Sequence, residues 1–303
     1  MNRREMLQKT GAAAVAAGLS SFPLRWVQAD EGSAKKRVFM FTKSGTYEHD
    51  VVKRHGHSSP AERILTELGK KHGFEVTCSK DGRDFDNSDL GQFDAFFFET
   101  QGNLLEKGVD GEPPMSEKGK KHFLDLIAQG KGFVGSHCAS DTCHSHGSSN
   151  ENQSPEQQDP YIRMLGGEFV RHDAQQRAWM RVADHHFPGL KGIDDFALLE
   201  EWYALKNFNP HLHVILVQDT TGMKGKDYQR PSYPATWAHR YHKGRVFYTS
   251  MGHRDDVWEN PIFQQILLGG LSWAVGNAKA DVTPNLNKAA PEASKLPDYQ
   301  RQG

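Results

Sequence analysis

Cysteine is scarce in this 303-residue chain, with Cys78, Cys138 and Cys143 the only three. One pair at most can bridge, which excludes a disulfide scaffold. Cys138 and Cys143 fit neither a CxxC redox motif nor a paired zinc-knuckle spacing, so their plain reading is small side chains packed near a strand end. An excess of charge is also missing. The formal net charge is −1, with both signs interspersed, so no basic face offers itself to nucleic acid. No apolar run reaches the ~18 residues of a spanning helix, so no membrane span is expected in the mature chain. Internal repeats and an interdomain linker are absent too, which leaves one domain as the reading. Histidine, by contrast, is abundant at sixteen residues. It is the commonest metal ligand and the usual general base near neutral pH. With 37% hydrophobic residues the chain can bury a sizeable core.

Residues 1–29 read as an export signal rather than as part of the fold. Arg3 and Arg4 precede a mildly apolar stretch, GAAAVAAGL, and Val27-Gln28-Ala29 offers a small-residue cleavage site. The adjacent arginines favour the twin-arginine route over an ordinary secretory signal. The expected location is therefore periplasmic or secreted. The mature domain spans 30–276, and a polar, loosely held tail follows at 277–303.

The mature chain alternates strands and helices. Residues 37–42 form a strand, and Ser59, Pro60 and Glu62 mark a capping box that opens a helix with Ala61, Ile64, Leu65 and Leu68 on its apolar face. Strands follow at 74–79 and 94–100, the second an uninterrupted apolar run suited to burial on both faces. A helix at 117–129 leads into another strand at 132–135. This β-α-β-β-α-β order predicts an α/β fold: a mostly parallel open sheet with helices on both faces, flavodoxin-like in kind. Later strands are expected at 177–182, 214–217, 235–240 and 246–250, the last two joined as a hairpin through His242-Lys243-Gly244. A final helix begins at Asn260-Pro261.

The densest chemistry lies at 130–147, GKGFVGSHCASDTCHSHG, where a buried strand runs into imidazole, thiol and carboxylate groups. Open α/β sheets build their sites at such carboxyl ends. His137 is the leading candidate for general acid/base work. Asp141 could orient it, or simply cap a turn. His49 and His253 end other strands and can face the same crevice. Glu201 is a second acid. Beside it Trp202 and Tyr203 could floor a sugar, as could Trp237, with core packing the alternative for the tryptophans. His144 and His146 form an H-x-H pair that, with His137 or Cys143, would supply three ligands for zinc or another divalent metal. A plain polar surface loop accounts for the pair equally well.

Four stretches also carry a family resemblance: Tyr47-Glu48-His49-Asp50, GFVGSHCASDT at 132–142, Glu200-Glu201-Trp202-Tyr203, and PATWAHRYHKGRVFYTSMGH at 234–253. Together with Met164-Leu165-Gly166-Gly167 they resemble the ThuA-like (trehalose utilisation) family and span about residues 36–276. The resemblance implies a class I glutamine amidotransferase-like fold. In that fold a sharp turn exposes a nucleophilic cysteine; here the turn reads Gly135-Ser136-His137, and Cys138 lies one residue too late to take the role. It also implies a small-molecule carbohydrate partner, with hydrolysis, elimination or isomerisation of a glycoside or keto-sugar by His137 and Asp141, Glu201, His49 and His253 around it. A non-catalytic sugar-binding module and a zinc-dependent hydrolase using His144/His146 are the alternatives, and a homo-oligomer is compatible with all three.

Overall fold

The first strand, β1 (Lys36–Phe41), shows how the sheet is buried. Val38 and Met40 enter one apolar cluster while Phe39 and Phe41 enter another, so a side-chain period of two builds a core on each face. The structure, a computed structural model, describes residues 35–87 and 89–299. The export signal expected at 1–29 lies outside the described residues.

Helix α1 (Pro60–His72) begins as its sequence requires. Ser59 Oγ accepts from the Glu62 amide, the Glu62 carboxylate accepts from the Ser59 amide, and Pro60 has no donor to lose. It stops at Gly73, whose φ of 81° is left-handed. Strand β2 (Phe74–Ser79), the one-turn α2 (Asp84–Asn87) and β3 (Ala95–Phe98) follow. On β3, Phe97 faces the cluster under α1, and Phe96 and Phe98 face the other. Helix α3 (Glu117–Gln129), capped by Ser116, covers that second face with Phe123 and Ile127 and delivers the wholly buried β4 (Gly132–Ser136).

The second half runs α4 (Pro160–Leu165), β5 (Glu168–Arg171), β6 (Gln176–Val182), β7 (Phe196–Glu200), β8 (Ala204–Lys206), β9 (His213–Asp219), β10 (Tyr233–Tyr241), β11 (Gly244–Thr249), α5 (Asp255–Trp258), α6 (Pro261–Ala274) and α7 (Leu286–Ala289). Nine strands form one sheet in the order β2-β1-β3-β4-β11-β10-β9-β6-β7, while β5 and β8 pair separately. The first five are mutually parallel. Beyond β11 every neighbour is antiparallel, which reverses β10 and β6 alone, so seven of the nine strands point one way. The sheet is therefore mostly parallel and mixed, with α1, α5 and α6 on one face and α2, α3 and α4 on the other. Alternating strand–helix sequence made the parallel half legible. The antiparallel wing needs no crossover helices, so nothing in the helical pattern announced it.

The tail differs from its expectation. Asn285 bonds both backbone groups of Val214 through its side-chain amide, His213 Nδ1 donates to the Thr283 carbonyl, and Arg230 donates to the Ala293 carbonyl. Ala290 and Ala293 are buried. The segment 277–299 is tied down by backbone groups and small side chains, which leave no hydrophobic period in the sequence.

Candidate active site

The carboxyl ends of β1, β4 and β11 lie on one side of the sheet, and each delivers a histidine there. Strand β4 runs straight into His137, whose φ of 35° is in the left-handed region. Such backbone costs a β-carbon-bearing residue about 1–3 kcal/mol and persists only where the surroundings over-determine it. Here they do. Tyr248 Oη and Ser140 Oγ both donate to the His137 carbonyl, at 2.8 and 3.1 Å. Below the turn the buried Glu99 accepts from Ser136 Oγ and, at 3.3 Å, from Cys138 Sγ, gripping the residues on either side of His137.

The His137 ring is wholly buried, and its Nδ1 meets the Ser250 carbonyl at 3.2 Å. A carbonyl only accepts, so Nδ1 carries the proton and Nε2 presents a lone pair. That Nε2 lies 3.6 Å from Glu201 Oε2. His49, 3% exposed at the end of the loop after β1, bonds Tyr203 Oη through Nε2 at 3.3 Å and leaves Nδ1 buried without a partner. His253, in the turn after β11, places Nδ1 3.1 Å from Glu201 Oε2, but the ring is not aimed along that line and makes no hydrogen bond there. The ligand-type atoms of His49, His137, Glu201 and His253 all lie within 4.8 Å of one another, the one such group among the described residues. The three ring pairs sit edge to face at centroid distances of 5.1–5.2 Å.

Glu201 reaches this point because the chain leaves β7 in an extended segment. Glu200, one residue earlier, accepts from the Gly252 and Glu201 amides and so ties the His253 turn to the Glu201 segment. The alternation of an extended chain then sends Glu201 and Tyr203 to the site and Trp202 away from it.

Charge in the cluster is divided unevenly. Burial, reinforced by the neighbouring His137 and His253 rings, holds His49 down to about 2. Burial also lowers His137, and the nearby Glu201 carboxylate offsets only part of it. Burial pulls His253 down as well, but Glu201 outweighs it and the ring ends above its ordinary value. Burial would raise Glu201, yet its contacts with His137 and His253 hold the carboxyl well below the usual range. Burial pushes Glu200 up to about 7 against its backbone hydrogen bonds.

Several expectations are corrected. Asp141 does not orient His137. The turn 137–141 is a 3-10 helix, and four residues at about three per turn carry a side chain roughly 120° around the axis. Asp141 instead accepts from Gln101 and His144, at 2.8 and 2.6 Å. His144 commits its ring nitrogens to Asp141 and Glu168, and His146 is exposed, so the H-x-H pair forms no ligand set with His137 or Cys143. Trp202 and Trp237 are fully buried and donate to the Gln176 and Leu165 carbonyls, so neither can floor a sugar. Trp237 lies against Gly166 and Gly167, where a Cβ would stand 2.8 Å from Leu212 and from the Trp237 ring respectively. Tyr203 is a wall, not a floor, since His137 and Phe169 cover its ring at 4.0 and 4.2 Å. Cys138 is buried with its thiol pushed well up by burial and by Glu99, a poor nucleophile. The three cysteines are all free.

Sequence reasoning missed Glu200, Gln175 and His172. Gln175 meets His253 Nε2 at 2.9 Å, and His172 Nδ1 lies 3.4 Å from Glu201 Oε1. Glu200 was visible within a motif, but nothing in the order of residues separates a positioning carboxylate from its neighbour. Of the four residues, His253 lines a shallow cleft of about 330 Å³ with Tyr47, Asp50, Gln175 and Arg254. A larger cavity, about 610 Å³, lies beside Cys143, His144 and His146, but the one group of converging ligand-type atoms among the described residues is not there.

Comparison with known proteins agrees with the architecture. The sequence profile of ThuA, trehalose utilisation, matches residues 37–274. None of the curated proteins matches the chain. A solved structure described as a ThuA-like protein, from Bacteroides uniformis, superimposes with a TM-score of 0.57 at 17% identity, covering 88% of this chain and 100% of its own. Another from Parabacteroides merdae gives 0.57 at 18% identity, covering 89% and 100%. At that identity the likeness shows the shared α/β fold, a mostly parallel mixed sheet with helices.

Proposed function

Because the chain belongs to the ThuA (trehalose utilisation) family, we propose that it is a carbohydrate-processing enzyme acting on a keto-sugar or glycoside at the His49–His137–Glu201–His253 centre. The observation that carries this reading is the convergence of three imidazole nitrogens and one carboxylate at the carboxyl ends of the sheet, beside an open cleft. The centre itself contributes one carboxylate, Glu201. Hydrolysis by the usual glycosidase route needs a pair flanking the scissile bond. Proton movement next to a sugar carbonyl needs only a polarising group and a base, which favours a keto-sugar and elimination or isomerisation. The exposed Tyr47 ring, edge-on to His49 at 4.9 Å, stands at the rim where a sugar face would arrive.

Turnover of a panel of disaccharides and 3-keto-glycosides tests this. Product is expected from keto-glycosides, and His137→Ala should lower the rate by at least ~10²-fold, the scale of a lost acid/base or polarising group. Saturable binding with no product from any member would make the chain a sugar-binding module instead. We also propose export on the strength of the 1–29 signal. Replacing Arg3 and Arg4 by lysine should retain the protein in the cytoplasm, and unaltered export would exclude the twin-arginine route.

A further inference from the structure

His49 Nδ1, His137 Nε2 and His253 Nδ1 are buried and have no hydrogen-bond partner, and one ligand-type atom from each of these rings and from Glu201 lies within 4.8 Å of the others. Buried polar atoms are rarely left unpaired, and three orphans in one place ask for a common partner. The Ser250 carbonyl and Tyr203 Oη can each accept the remote N–H of His137 and His49, while His253 Nε2 meets the Gln175 side-chain nitrogen, itself a donor, and offers Nδ1 to an ion when that amide turns its oxygen to the ring. Imidazoles that bind metals are held in this way through their remote nitrogen.

We propose that His49, His137, His253 and Glu201 are the ligands of a divalent first-row transition metal, zinc or an ion of similar character. Three imidazole nitrogens and one carboxylate oxygen suit such ions, whereas calcium and magnesium select oxygen-rich sites. The spacing fits as well. Bonds of about 2.0–2.2 Å separate neighbouring ligand atoms in a tetrahedral site by roughly 3.4 Å. The two separations from Glu201 Oε2, 3.1 Å to His253 and 3.6 Å to His137, lie on either side of that value. The out-of-line approach of the His253 ring to Glu201 follows too, because two ligands of one ion aim at the ion rather than at each other. All four side chains come from different stretches of chain held at the ends of packed strands, so the donor set is largely assembled before any ion arrives. On the cleft side a bound ion would meet substrate oxygens, and adjacent carbonyl and hydroxyl groups of a keto-sugar form a natural chelating pair. This deepens the proposed function and rests on the same cluster being the working site. It also alters the division of labour, making His137 a ligand and leaving proton transfer to groups at the rim such as His172.

The test is metal content and affinity of the full chain, measured by mass spectrometry after chelator treatment and reloading with zinc, manganese, iron or cobalt. One equivalent per chain is expected, with a visible cobalt spectrum of nitrogen-rich ligation. Because His137 is buried in a strained turn, the informative variants are His253→Ala and Glu201→Gln, each checked for native circular dichroism. Each should weaken metal binding by more than about 100-fold, since losing only a bond that supports a ligand costs about 10–100-fold. His144→Ala should retain the full equivalent. A folded chain that takes up no ion, or one whose affinity survives both His253→Ala and Glu201→Gln, overturns the proposal. Stoichiometric metal without turnover on the sugar panel would reject the sugar reading and keep the metal site. Full turnover by metal-free protein would do the reverse.

Discussion

Tyr248→Phe isolates the device that holds His137. The hydroxyl donates to the His137 carbonyl at 2.8 Å and also contacts Ser140 Oγ at 2.8 Å, while the ring packs against Trp237 with centroids 4.4 Å apart. Substitution by phenylalanine keeps the ring and deletes only the oxygen. The carbonyl retains Ser140 Oγ as a donor at 3.1 Å, so it is weakened rather than orphaned. A buried neutral hydrogen bond contributes about 0.5–1.5 kcal/mol and partial loss of partners adds to that, so a cost of about 1–2 kcal/mol is expected. In a domain of this size that lowers Tm by about 2–8 °C, at roughly 2–4 °C per kcal/mol. The left-handed turn loses one of its two pins, so metal affinity and turnover should fall with stability. Calorimetry and metal titration of the variant read both quantities. An unchanged Tm together with unchanged affinity would show that Tyr248 does not hold the turn, and the account of how the strain at His137 is maintained would fail.

Two other outcomes follow from the structure. The contacts to Asp141 and Glu168 outweigh burial and raise His144 from 6.5 to about 9. A raised value stabilises fully below about pH 6.5 and is lost as pH climbs towards 9, so Tm should decline across that window. The ring is half-exposed, so the effect is small, and His144→Ala should flatten the decline; an identical pH profile in the variant would contradict the pairing. Trp237→Ala empties a fully buried site and removes the indole donor to the Leu165 carbonyl, with an expected loss of about 3–5 kcal/mol. Its Tm should drop by about 6–20 °C. Trp237→Phe should keep KM for any sugar substrate, and a large rise in KM with little change in Tm would restore the tryptophan as part of a sugar floor.

How far the sequence could be read depends on the kind of signal each feature leaves. Ser59-Pro60-Glu62, the α1 stripe and the DAFFFET strand were legible because capping and burial on both faces are local and periodic. The histidines at the ends of β1, β4 and β11 stood out for the same reason: a buried strand running into a polar residue is visible in one dimension. Which atoms meet is not. Asp141 looked like the partner of His137 because it is near in sequence, yet the pitch of a 3-10 turn carries it aside, and the partners are Ser250 and Glu201, both distant in sequence. The H-x-H pair drew the metal reading to the wrong loop, since spacing shows ligands that share a segment and hides a set drawn from four. Trp202 and Tyr203 were grouped as a sugar floor, although an extended chain must send neighbours to opposite sides.

The central claim is that His49, His137, Glu201 and His253 form one centre. Anomalous diffraction from crystals of the loaded protein, recorded on both sides of the metal absorption edge, tests it most directly. The account predicts a single strong peak within about 2.0–2.3 Å of His49 Nδ1, His137 Nε2, His253 Nδ1 and Glu201 Oε2. A peak beside His144 and His146, or none between those four atoms in protein shown to carry the ion, would contradict it.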